Sequence, residues 1–196
     1  MTFRRLAGLL VAAGLALPLA ARADVTVAGV QYQDTLTLRG SKLLLNGAGI
    51  RYKGPFKVYA AGLYLPKKAA APDEVLAQPG AKRISVTMLR DIDASELGRL
   101  FIRGVEDNMG DKTQMSRLIP GLMRMSQIFT EHKDLKAGDQ FSVDWIPGTG
   151  TVISVKGVPD GAPFKEPEFF NALLRIWLGP VPADWKLKDS LLGLKS

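Results

Sequence analysis

No cysteine occurs anywhere in this chain of 196 residues, which rules out disulfides, thiol nucleophiles and thiolate metal sites. Histidine is nearly as scarce. The single one, His132, lies in Thr130-Glu131-His132-Lys133-Asp134, a polar stretch that reads as a helix end and places the imidazole on the surface. A serine-histidine-acid triad or a zinc site would need neighbours that this stretch does not supply, so no metal and no cofactor is expected. Beyond the first two dozen residues, no run approaches the roughly 20 apolar residues that a bilayer-spanning helix requires. Concentrated positive charge is missing too. Lysine and arginine total 26 against 19 acids, but they are scattered as Lys67-Lys68, Lys82-Arg83 and Lys186 to Lys195. That pattern is not the basic stripe of a nucleic-acid-binding surface.

What the chain does have begins at its N-terminus. Arg4 and Arg5 precede an apolar stretch from Leu6 to Leu19, interrupted by Gly8, Gly14 and Pro18, and Ala21-Arg22-Ala23 follows as a small-x-small cleavage site. These are the three parts of a signal peptide, residues 1–23, cleaved after Ala23. The stretch is short for a transmembrane anchor. Leu6-Ala7-Gly8 after the two arginines also departs from a full twin-arginine motif, so the general export route and a periplasmic or secreted address are expected. Removing Arg4, Arg5 and Arg22 leaves 23 basic residues against 19 acidic ones, a net charge of +4. Residues 24–196 suit one domain with a sizeable core. Nothing in them specifies an oligomeric state.

Hydrophobic periodicity predicts one α+β unit without internal repeats. Val25 to Val30, Asp34 to Arg39, Lys42 to Tyr52, Phe56 to Leu65 and Arg83 to Leu89 read as strands. A short helix is expected near Asp73. Asp93 and Glu96 have capping-box spacing ahead of a helix whose Leu97, Leu100, Phe101, Gly104 and Val105 share a face. A second helix carries Met115, Leu118, Leu122, Met125 and Phe129, with Pro120-Gly121 expected to kink it. Gln140 to Ile146 and Thr151 to Lys156 form another hairpin, Glu168 to Leu178 a helix ended by Gly179-Pro180, and the last helix is expected to begin near Pro182. Trp145, Trp177 and Trp185 read as core anchors. Met88, Met109, Met115, Met123 and Met125 cluster in the central third, where thioethers suit either an adaptable cavity or ordinary core packing.

The most informative segment is Asn46 to Lys67, NGAGIRYKGPFKVYAAGLYLPK, two apolar-rich strands around a Lys53-Gly54-Pro55 turn with Arg51 set between Ile50 and Tyr52. Alternation puts Val58, Ala60, Gly62 and Tyr64 on one face of the second strand and Lys57, Tyr59, Ala61 and Leu63 on the other. If paired residue numbers sum to an even value, Arg51 and Tyr59 share a face within side-chain reach. An odd register separates them by the sheet. Together, a guanidinium fork and a phenol hydroxyl can grip a carboxylate or an enolate. Alternatively, Arg51 is a strand arginine paired with an acid such as Asp91, Asp93 or Asp144.

Gly47-Ala48-Gly49-Ile50-Arg51, the strand Phe56 to Leu65 and Ile176-Trp177-Leu178-Gly179 resemble the bacterial exported branch of the chalcone isomerase-like family. The resemblance implies an α+β fold, an open-faced β-sandwich in which a large antiparallel sheet packs helices on one face, with a ligand cleft between them. In the plant isomerases of that family, an arginine at the position of Arg51 stabilises enolate-like charge, helped by threonine, tyrosine and asparagine. Here Tyr59 stands at the threonine position, and Leu97 or Phe101 at the tyrosine position. Gly104 or Asn108 takes the asparagine position, and Ile176 and Trp177 stand where a further hydroxyl would be. The fatty-acid-binding branch, by the same resemblance, holds a carboxylate with an arginine and a tyrosine at the positions of Arg51 and Tyr59. The expected function is therefore binding of a fatty acid or similar small amphipathic carboxylate, with Arg51 and Tyr59 as ligand-binding residues. The alternatives are an isomerase or intramolecular lyase using Arg51 on an enolisable substrate, and a non-catalytic envelope partner protein.

Overall fold

A computed structural model describes residues 24–194; the expected signal peptide, residues 1–23, lies outside them. Eleven strands and five helices follow one another among the described residues. Strands β1 (Val25–Val27), β2 (Val30–Tyr32) and β3 (Thr35–Leu38) lead into β4 (Ser41–Lys53) and β5 (Phe56–Leu65), the expected long hairpin. After α1 (Pro72–Ala77), β6 (Lys82–Met88) and β7 (Ile92–Asp93) come α2 (Ala94–Asn108) and α3 (Lys112–Glu131). The chain then forms β8 (Asp134–Leu135), β9 (Gln140–Ile146), β10 (Gly150–Val155) and β11 (Val158–Phe164), and ends with α4 (Pro167–Leu178) and α5 (Trp185–Leu191). Seven strands make one antiparallel sheet in the order β11-β10-β9-β6-β5-β4-β3. This is the expected α+β architecture, with the main core between the helices and one face of the sheet.

That core is strongly aromatic. Phe101, Phe129, Phe141 and Trp177 meet edge to face with ring centroids 5.3 to 5.7 Å apart, the arrangement that the ring quadrupole favours. The other face carries a smaller cluster in which Tyr32 covers β5. Gly62 makes this possible, since a Cβ there would lie 2.5 Å from the Tyr32 ring. Helix α3 continues through Pro120. Its Gly121 sits against the Phe169 ring, where a Cβ would approach to 2.8 Å.

Several elements depart from the sequence reading. Val25 to Val30 is a tight hairpin, because Ala28 and Gly29 both adopt positive φ and return the chain on itself, the backbone that a two-residue type I′ turn requires. The last helix starts at Trp185 rather than near Pro182, since Asp184 is its N-cap and accepts the Leu187 N–H. β11 was not expected from VPDGAPF; it sits at the sheet edge, where its two prolines forfeit no central ladder bonds. Trp177 is fully buried and Trp145 half-buried, but Trp185 is 61% exposed and is no core anchor. His132 caps α3 and is partly buried, its Nε2 lying 2.7 Å from the Asp160 carboxylate.

The β4–β5 pairing contains two irregularities that govern what the hairpin can do. Leu45 pairs with Tyr64 but Gly47 with Leu63, so Asn46 is an additional residue on β4. Arg51 pairs with Tyr59 but Tyr52 with Lys57, so Val58 is an additional residue on β5. At the first bulge the Asn46 side chain donates to the Ala69 and Leu191 carbonyls at 2.9 and 2.7 Å and accepts the Ala69 N–H at 2.8 Å. The strand, the approach to α1 and the end of α5 are thereby tied together. Gly49 admits α5 closely, since a Cβ there would lie 2.6 Å from Ser190 Cβ.

Candidate functional site

The turn pairs Lys53 with Phe56 around Gly54 and Pro55. Carried on unbroken, that register would set Arg51 opposite Val58 and send Tyr59 to the far face. The bulge at Val58 shifts the pairing by one residue, so Arg51 and Tyr59 become direct cross-strand partners on the helix face. Strict alternation therefore fails at Val58, which is buried in the same core as Tyr59 and lines the same cleft. The Arg51 guanidinium carbon lies 5.8 Å from the Tyr59 ring centroid, within cation–π range.

Tyr59 is buried, and its hydroxyl accepts the Trp177 Nε1–H at 2.8 Å, which leaves its own O–H free to donate. Burial pushes the phenol up to about 12, while Arg51 and the Trp177 hydrogen bond pull the other way. It is therefore a neutral donor throughout the physiological range. Arg51 is half-buried, and among the described residues no carboxylate forms an ion pair with it. The acids proposed as its partners are occupied elsewhere. Asp144 takes Arg83, Asp91 accepts the Ala137 N–H and pairs with Lys136, and Asp93 caps α2. Hydrogen bonds from Ala137 and Lys136 hold the Asp91 carboxyl below its ordinary value, and those from Ser95 and Glu96 do the same for Asp93.

The two side chains border a cleft of about 340 Å³ between β4–β5, α2, α4 and the loop before α5. Its walls are mostly hydrocarbon, including Leu97, Leu100, Phe101, Ile176 and Val181. The helical face expected for α2 is split between the two tasks. Leu97, Phe101 and Val105 are buried in the core, and Leu100 and Gly104 complete the cleft wall. Leu97, Phe101, Gly104 and Ile176, which the resemblance sets at or beside the isomerases' polar positions, all line the cleft, and none of them carries a hydroxyl. A second cavity of about 290 Å³ shares Arg51, Lys53, Val58, Ile92 and Leu100 and adds the charged residues Arg90, Asp91, Asp93 and Glu96. Arg51 thus stands between an apolar chamber and a polar one. Among the described residues, no methionine lines either cavity. Met88 and Met125 are core, Met109 and Met115 pack against it, and Met123 is exposed.

Sequence reasoning missed how the outer wall is held. Asn108 does not line the cleft; its amide donates to the Gly104 and Val181 carbonyls at 2.8 Å each and accepts the Val181 N–H at 2.9 Å. It fastens the loop carrying Val181 to α2. Gly179 accommodates it, because a Cβ there would collide with the Asn108 carboxamide. Asp184 closes the other side by accepting the Tyr52 N–H at 2.9 Å. Among the described residues, no cluster of three or more histidines or acids is arranged to hold a metal ion, and no helix is long and apolar enough to cross a membrane.

Comparison with known proteins bears on this arrangement. A family model described as chalcone isomerase-like matches residues 24–193. No curated protein matches. Among solved structures, the crystal structure of a fatty-acid binding protein from Arabidopsis thaliana superposes with a TM-score of 0.66 at 16% identity, covering 87% of this chain and 96% of that one. At that identity the likeness establishes the fold.

Proposed function

This chain belongs to the chalcone isomerase-like family, and from that premise we propose that it binds a fatty acid or similar small amphipathic carboxylate between the sheet and helices. The carboxylate sits on Arg51 and the Tyr59 hydroxyl, and the hydrocarbon lies along Leu97, Leu100, Phe101 and Ile176. The protein acts in the periplasm or outside the cell, as a member of the family's bacterial exported branch, with residues 1–23 removed and Asp24 as its first residue. The Arabidopsis neighbour, a fatty-acid binding protein by its description, supports the ligand class.

The observation that carries this reading is the guanidinium of Arg51, half-buried, free of any ion pair among the described residues and set at an apolar cleft. A carboxylate left unpaired in such a place would cost several kcal/mol. With Arg51 and Tyr59 it receives charge-assisted hydrogen bonds, and each buried methylene then adds about 0.8 kcal/mol. The cleft lies near the lower end of the roughly 300–1,000 Å³ usual for small-ligand pockets, which favours a single chain over a bulky lipid. An isomerase would have Arg51 as its electrostatic group without the hydroxyls that orient a reacting oxygen.

Mass spectrometry of protein purified natively from the exported fraction tests both parts. The expected result is an intact mass beginning at Asp24 and a co-purifying fatty acid that Arg51→Ala loses. A retained ligand in Arg51→Ala, or none in either protein, overturns the binding reading; an uncleaved mass overturns the export reading.

A further inference from the structure

Three aromatic residues remain exposed among those described: Tyr52 at 39%, Phe56 at 60% and Trp185 at 61%. All three stand at the end of the molecule where the cleft opens. Tyr52 and Phe56 flank the β4–β5 turn, Trp185 opens α5, and the Tyr52 N–H bond to Asp184 joins the two segments. Val181, also exposed, lies on the same loop as Asp184 and lines the cleft. Elsewhere the fold hides its aromatics, so their exposure at one end is a property of that end.

The cations there follow the aromatics. Lys53 and Lys57 lie on the hairpin, and Lys186 and Lys188 on α5. Arg90 stands 5.5 Å from the Phe56 ring centroid and Lys188 Nζ 5.0 Å from that of Trp185. Of the nearby acids, Asp184 already accepts two backbone N–H groups, Asp91 is paired with Lys136, and Asp93 caps α2; Asp107, on the cleft wall, lies 3.9 Å from Arg103, and Glu96 and Asp189 stand nearby as well. Exposed apolar groups gathered at one end of a fold mark an interaction surface, and the composition points to its partner. Lysine is depleted at protein–protein interfaces. Tryptophan, tyrosine and lysine together are instead the signature of a bilayer interface, where rings sit at headgroup depth and lysine stems extend along apolar surface with their charges in water.

We propose that this end of the molecule docks on an anionic phospholipid bilayer, seating Phe56 and Trp185 among the headgroups. Lys53, Lys57 and Lys186 face the lipid phosphates, while Lys188 is held beside the Trp185 ring by its hydrogen bond to the Gly179 carbonyl. Because Val181 and Lys53 line the cleft as well as its rim, an acyl ligand passes between bilayer and cleft without crossing open water. That last step rests on the fatty-acid reading above; the docking itself does not.

Flotation of the mature protein with lipid vesicles tests the docking. With vesicles of phosphatidylcholine and phosphatidylglycerol at low salt, wild type is expected in the floating fraction, and with phosphatidylcholine alone at least tenfold less of it. A double variant, Phe56→Ser with Trp185→Ser, stays at the bottom while keeping its circular dichroism and thermal midpoint, since neither side chain is in the core. Arg51→Ala floats like wild type even where it retains no fatty acid, which separates failure of docking from failure of ligand binding. Wild type that stays at the bottom, or a double variant that floats equally well, overturns the proposal. So does a dimer that only the double variant dissolves, which would assign the patch to a second copy of the chain.

Discussion

The sheet carries the same cross-strand pair twice, once on each face. On the helix face Arg51 stands opposite Tyr59, and on the outer face Arg83 stands opposite Tyr64. Both phenols are buried, both are pushed up to about 12 by that burial, and in both cases the neighbouring arginine opposes the shift. The arginines fare differently. Arg83 gives Asp144 two hydrogen bonds of 2.6 Å each, and the carboxylate is buried. Arg51 has no such partner among the described residues and borders an apolar cleft. One pair is closed within the fold, while the other is left complementary to an anion that none of the described residues supplies.

The largest expected effect breaks the closed pair. Asp144→Ala strands the Arg83 guanidinium and should cost about 3 kcal/mol, seen as a lower urea midpoint; a loss below ~1 kcal/mol would mean that the two arginines are equivalent. Tyr59→Phe comes next. It leaves the buried Trp177 N–H without its acceptor, at about 1–3 kcal/mol, and on the proposed function it also weakens carboxylate binding by removing a donor. The same variant sharpens the comparison at high pH. The folded state holds the Tyr59 proton more tightly than the unfolded state, whose phenol titrates near 10. The stability it contributes is therefore complete below pH 10 and disappears as pH rises through about 12. Tyr59→Phe should remove its share of that alkaline loss and leave the shares of Tyr64 and Tyr32, whose phenols burial also raises. Arg51→Ala has the smallest effect on stability, under about 1 kcal/mol from the lost cation–π contact, measured by the same urea titration on ligand-free protein.

Much of the fold was legible because its strands alternate and its helices carry continuous apolar stripes. The hairpin of β4 and β5, the helix from Pro167 to Leu178 and the Asp93 cap announce themselves through local chemistry. The site was legible only as a condition. Arg51 and Tyr59 meet if the register is even, yet the turn by itself imposes the odd one. The correction is made by Val58, a residue with nothing unusual in its side chain, because bulges arise from how a strand fits both neighbours. β11 was hidden by its prolines, which only an edge position tolerates. The work of Asn108 was hidden because its partner Val181 lies 73 residues away, and Trp185 was misplaced because tryptophan ordinarily signals core.

The Asn46 bulge has a consequence in time. One of its amide protons has as its acceptor the carbonyl of Leu191, 145 residues further along, and Gly49 is bare until α5 arrives. Contacts of such separation are among the slowest to form, and none of them can exist before residue 191 has left the ribosome. Docking of α5 also brings Asp184 against Tyr52 and sets the outer wall of the cleft. The nascent chain can therefore assemble most of its sheet as it emerges, but it acquires a finished cleft only after synthesis of the domain is nearly complete.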